Sequence, residues 1–228
     1  MQNLPEGWED ARKGMYRWET KVTIADVEYS EKDIFDLSTN AALFSGSTAG
    51  IGSCVSKEID LAVKPQGVIP RMAEIMVLVR PVADGVETAW LKKGVFYIDT
   101  RQEDKTTGLL TIHGYDAMLK AEETYLKASD TGEWPQPESV VVAEIAQRMG
   151  VELDSRNTLT DAPVPYPNDY TMREILGFIA VSHCGNWIIT DAGALRLVPL
   201  VSAPPETNYL ATDDGFVLTM GGHRILAR

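Results

Sequence analysis

Two runs of alternating apolar and polar residues separated by a polar turn leave a chain few ways to fold. Trp90–Leu119 (WLKKGVFYIDTRQEDKTTGLLTIHGYDAML) holds such a pair. Val95, Tyr97 and Asp99 alternate with Phe96 and Ile98; after a charged tip at Asp104–Gly108, Leu110 and Ile112 alternate with Thr111 and His113. A period of two puts one set on a buried sheet face and the other in solvent, so the stretch reads as a long β-hairpin. A charged, Gly-containing turn between β-branched and aromatic runs is the chemistry such a hairpin needs. Gly114-Tyr115-Asp116 breaks the alternation, and Asp116 is placed to cap a helix beginning at Ala117-Met118-Leu119. A β-domain therefore hands over to a helix-containing one at this corner.

Upstream of the hairpin the same period recurs. Tyr16–Ile24 reads as a strand with Tyr16, Trp18, Thr20 and Val22 on one face. Asp26–Tyr29 and Ile34–Leu37 follow, split by a Ser30-Glu31-Lys32-Asp33 turn. Ser45–Ser53 (SGSTAGIGS) is small and flexible and predicts no regular element. Val55–Val63 alternates again, a turn falls at Ile69-Pro70, and Ala73–Arg80 is a strong strand. Five or six strands with short turns before residue 114 predict an antiparallel sandwich or barrel.

Downstream the composition shifts. Glu138–Met149 spaces Val141, Val142, Ile145 and Met149 as one helix face, with Gly150 placed to end it. After the proline-rich Ala162–Pro167, Thr171 and Glu174 form a capping box at the head of a second helix that carries Ile175, Phe178 and Ile179. Asn186–Thr190 and Ala194–Leu200 flank Asp191-Ala192-Gly193 as a hairpin. Strand signals return at Phe216–Thr219 and Arg224–Leu226. The expected fold is α+β and mainly β: an N-terminal arm (1–14), a β-barrel or sandwich domain (15–119), an α/β insert of two helices and a hairpin (120–200), and strands returning toward a second barrel (201–228).

Charge and composition narrow the function classes. A formal net charge of −12 without a Lys/Arg cluster opposes specific nucleic-acid binding. No apolar run is long enough to span a bilayer, and the N-terminus lacks the apolar core of a signal peptide. Cys54 and Cys184 read as reduced thiols of a protein made in a cytosol. The Gly-rich SGSTAGIGS lacks the Gly-Lys-Ser/Thr that holds phosphates. No His/Cys/Asp/Glu spacing fits zinc or calcium, so no metal or cofactor is expected. His113 with Asp116, or His183 beside Cys184, are the only groupings for acid–base or Cys/His chemistry. Neighbours at a helix end diverge by about 100°, which favours capping for the second pair. The five tryptophans are scattered, as packing residues are.

Gly94–Asp99, a variable hairpin, then Leu110–Leu119, preceded by Ile51–Leu61 as a Gly-Ser turn running into an amphipathic strand, together resemble the hub proteins of phage and prophage tails. These are the tail-tip or baseplate hubs of siphophages and Gram-positive prophages, related in fold to hubs of contractile tails. The resemblance covers roughly residues 15–200. It implies β-barrel modules with an α/β insert, and a homotrimer whose pseudo-sixfold ring adapts the hexameric tail tube to a threefold tip. It implies a virion structural protein, not an enzyme, with a distal tail or tube protein, the tape measure and a tip or spike as partners. Asp99, Arg101, Glu103, Asp104, Lys105 and Thr107 of the long hairpin are then the expected assembly contacts. The competing expectation is a cell-wall hydrolase with Cys184 or His113 in its site.

Overall fold

The alternation along the first 115 residues is realised as seven strands in one antiparallel sheet. A computed structural model of the chain describes residues 4–46, 48–83, 88–127 and 132–201, and the backbone of 219–220 and 223–224. A one-turn helix α1 (Trp8–Ala11) precedes β1 (Arg17–Ile24), β2 (Val27–Tyr29), β3 (Ile34–Asn40), β4 (Glu58–Val63), β5 (Glu74–Val82), β6 (Leu91–Asp104) and β7 (Leu109–Tyr115). Their spatial order is β2-β1-β5-β6-β7-β4-β3. Every neighbouring pair is antiparallel, so β2 and β3, at opposite edges, run in the same direction. They are joined only by residues 30–33, so together they act as one bent strand that pairs first with β1 and then with β4. The sheet must curl to allow this. The sheet does not close as a barrel, since no ladder joins β2 and β3; it is the sandwich alternative that its curled, open order fits.

Every second residue points inward. Val22 and Ile24 of β1, Ile59, Leu61 and Val63 of β4, Ile75 and Val77 of β5, Phe96 and Ile98 of β6, and Leu110 and Ile112 of β7 form one buried cluster. The expected inward row of β1 is shorter than its alternation implied. Trp18 is 50% exposed and packs beside Trp8, with ring centroids 5.6 Å apart, at the end of the sheet near α1.

After β7, Asp116 caps as expected, accepting the Met118 amide at 2.9 Å, but the helix it starts is a 3₁₀ helix over Ala117–Glu122. Then come β8 (Gln136–Pro137), α2 (Glu138–Met149), β9 (Pro163–Val164), α3 (Met172–Ser182), and the hairpin β10 (Gly185–Ile189) and β11 (Leu195–Pro199). Gly150, in the left-handed conformation, ends α2, and the Thr171–Glu174 capping box is complete. Val141, Ile145 and Met149 of α2, Ile175, Leu176 and Ile179 of α3, and Trp187 and Leu195 of the hairpin build a second core with Met118 and Tyr125. Thr219–Met220 and His223–Arg224 pair antiparallel; the rest of the expected C-terminal strands lies outside the described residues.

The strand expected over Val55–Val63 begins only at Glu58, and residues 52–55 before it pair elsewhere. The Gly52 amide donates to the Gly185 carbonyl (2.9 Å), the Trp187 amide to Ser53 O (2.9 Å), and Cys54 bridges Trp187 in parallel. The loop expected to be flexible therefore adds an edge to β10. Gly52 has φ +82°, and a Cβ there would lie 2.4 Å from Val181 Cγ2, so only glycine lets the loop meet α3 this closely. Asn186, fully buried, takes the Ser53 amide (2.8 Å) and donates to Leu43 O (2.9 Å) and Gly50 O (2.8 Å). Arg173 of α3 donates to Cys54 O at 2.6 Å and Met118 O at 3.0 Å.

Asn186→Ala removes three hydrogen bonds at once and leaves their partners unmade, so we expect a loss of about 3 kcal/mol in denaturant unfolding. A loss within the range of an ordinary surface substitution would show that the loop is held by something else. Asp116, buried, also accepts the Lys57 amide at 2.8 Å. Burial pushes its carboxyl up to about 6, against the pull of the Lys57 and Met118 amides. A folded-state value above the unfolded one means a stabilising contribution that is complete below about pH 4 and lost as pH rises through about 6. The stability of the wild type relative to Asp116→Asn should therefore fall across that window in urea titrations. A difference independent of pH would contradict this.

Candidate assembly interface

β6 is much longer than its neighbour on one side. Its pairing with β5 ends at Tyr97↔Glu74, while its pairing with β7 continues to Asp104↔Leu109. Asp99–Asp104, about 20 Å of extended chain, thus have β7 on one edge and no strand on the other among the described residues. The register shifts between Ile98 and Thr100, making Asp99 the extra residue of a bulge that ends the β5 side of the pairing. At this crossing β7 passes so close that a Cβ on Gly114 would sit 2.5 Å from Tyr97 O.

All six expected contact residues lie on this overhang and all are exposed. They do not form one patch. Arg101 and Glu103 stand opposite Ile112 and Leu110, so they share the inward face of the sheet and line a cleft of about 420 Å³ against Pro65, Val68 and Ile69. The Arg101 guanidinium donates to the Ile69 carbonyl, anchoring that face. Asp104, Lys105 and Thr107 form the tip. Asp104 accepts the Thr106 amide (2.8 Å) and the Thr107 hydroxyl (2.8 Å), and its own carbonyl takes the Gly108 amide at 2.7 Å. These bonds, the Thr106 amide first, hold its carboxyl below the usual carboxylate range. Gly108 at φ +70° completes the reversal. The tip is therefore shaped by its own side chains. With Asp99, Glu103 and Asp104 set against Arg101 and Lys105, its charge is mixed, which suits short-range pairing more than long-range attraction.

Sequence reasoning missed the loop across the cleft. Val68 is 97% exposed there, and the signal was available in an apolar Val-Ile pair directly after Pro65-Gln66-Gly67. The residues weighed for catalysis go elsewhere. His113 Nδ1 lies 2.8 Å from Asp60 Oδ1, on the outer sheet face, and Asp116 is engaged with backbone amides. His183 ends α3 with Nε2 2.8 Å from buried Glu138 Oε1, while Cys184 follows it in the left-handed conformation, exposed. Cys54 is buried, which pushes its thiol up to about 12. The His223 side chain lies outside the described residues. Among the described residues no helix is long and apolar enough to cross a membrane.

No protein-family model and no curated protein matches the chain. Two solved structures are similar over most of it. The 43 kDa tail protein of prophage MuSo2 from Shewanella oneidensis aligns with 86% of this chain at a TM-score of 0.56 and 11% identity. A tail protein from Neisseria meningitidis MC58 aligns with 87% at 0.53 and 13% identity. The chain spans 59% and 57% of the lengths of these two proteins. Mainly β, with its two longest helices packed in a second core beside the large sheet, the chain has the fold of phage and prophage tail proteins.

Proposed function

We propose that the chain is a structural, non-enzymatic subunit of a phage or prophage tail tip or baseplate hub. It joins the tail tube to the tip or spike by symmetric ring assembly, as a homotrimer within the virion. The observation that carries this reading is the overhanging hairpin on a tail-protein fold. Nine consecutive exposed residues from Asp99 to Thr107, on a strand edge that β5 leaves unpaired and a tip already shaped, stand outside the core that Leu110 and Ile112 enter from β7. It is surface built to meet something. Its neighbours in the tail are a distal tail or tube protein, the tape measure and the tip or spike. A head-to-tail contact, each copy's hairpin on the next copy, closes into a ring when three successive rotations complete the circle.

The test separates assembly from folding. Replacing Asp104–Leu109 by Asn-Gly keeps the Glu103↔Leu110 pair and closes the hairpin with a two-residue turn. We expect light scattering to give a trimer for the wild type and a monomer for this variant, with unchanged thermal unfolding. A wild type that stays monomeric at every concentration, or a trimer that survives removal of the tip, would overturn the reading.

A further inference from the structure

The α/β insert carries a second surface that the hairpin does not explain. Between α3 and the proline-rich loop runs a groove of about 320 Å³, walled by Pro163, Pro165, Tyr166, Tyr170, Ile175 and Phe178. Its aromatic walls are open to solvent: Tyr166 is 57% and Phe178 55% exposed. The rings pack edge to face, Tyr170 on Phe178 at 5.1 Å and Tyr166 on Trp134 at 6.1 Å.

The loop's chemistry excludes one common mode of recognition. Ala162 and Val164 face β8, where Ala162 O accepts the Glu138 amide and Val164 pairs with Gln136. The alternate positions, 163, 165 and 167, are all proline. At 163, 165 and 167 the edge therefore has no N–H, and the Pro167 carbonyl already takes the Tyr170 amide at 3.1 Å, so an added strand would find no donors to pair with. What remains is apolar ring faces, with the phenol hydroxyls of Tyr166 and Tyr170, which have no hydrogen-bond partner among the described residues. Ring faces combined with isolated hydroxyl donors suit a polyproline-II segment, whose tertiary-amide carbonyls are unpaired and strong acceptors. Charge selects further. Asp161 and Asp169, one at each end of the loop, are exposed and have no ion-pair partner among the described residues.

We propose that this groove binds an extended, proline-rich segment of another protein that carries a lysine or arginine beside its prolines. The proposal stands independently of ring assembly by the hairpin. The probe is a blocked peptide, Arg-Pro-Leu-Pro-Pro-Leu-Pro, titrated into the full chain while backbone amide shifts are followed. Saturable shifts confined to residues 161–182 are expected. Tyr166→Ala and Phe178→Ala should each weaken binding about tenfold. Both rings are more than half exposed, so thermal unfolding should stay put. Asp161→Asn combined with Asp169→Asn, or glutamate in place of the peptide's arginine, should weaken it several-fold and abolish its salt dependence. Three outcomes would overturn the proposal. One is no shift at about 1 mM peptide, the limit of useful affinity. The second is equal binding of the glutamate peptide. The third is a self-associated protein in which Phe178→Ala dissociates copies, which would make the groove a contact between copies of this chain.

Discussion

The fold depends on the four residues Gly52–Val55 leaving one core and joining another. They sit between β3 and β4, both part of the curled sheet, yet their backbone pairs with β10 of the insert. Asn186 and Arg173 then fasten the same loop by side chain, and the fully buried Trp187 donates its indole N–H to Leu176 O at 2.9 Å. Backbone groups drawn into a protein interior must find partners. Here each core supplies what the other lacks. Asp116 makes a second tie, capping the 3₁₀ helix while holding the Lys57 amide. Lys57 in turn pairs with Asp191 of the β10–β11 turn. Sheet and insert are therefore braced from two sides, and a rigid base is what an overhanging hairpin requires.

Where a side chain's depth decides the structure, the sequence was readable. The hairpin β6–β7 shows itself because Phe96, Ile98, Leu110 and Ile112 must be buried while their neighbours are not. Both long helices are legible for a different reason: their ends are written in local chemistry, Gly150 for α2 and Thr171 with Glu174 for α3. Periodicity reports which face is buried, not which strand lies alongside. Nothing in Val55–Val63 marks the point at which the chain changes partners, because the exchange is made by main chain across more than a hundred residues and by one asparagine. The switch from β2 to β3 was hidden likewise, since both halves alternate as ordinary strands.

The candidate site was legible in part. All six hairpin residues are exposed, as a polar run at a turn should be, but Arg101 and Glu103 face a cleft while Asp104, Lys105 and Thr107 form the tip. A one-residue bulge at Asp99 shifts the alternation, turning Arg101 and Glu103 rather than Thr100 and Gln102 toward the cleft, and a bulge leaves little trace in composition. The groove of the insert was harder still. Its loop was read as a connector before α3, and only the pairing of Val164 with Gln136 shows that its prolines fall on a single edge.

The tip at Asp104 has a kinetic consequence. Its carboxylate already takes the Thr106 amide and the Thr107 hydroxyl, so the turn does not await a partner to become ordered. Ordering a loop at the moment of contact slows association and subtracts from affinity. In this hairpin that entropy is surrendered during folding of the single chain. In the proposed assembly, docking would then be a collision of finished shapes, its rate set by orientation and its lifetime by fit.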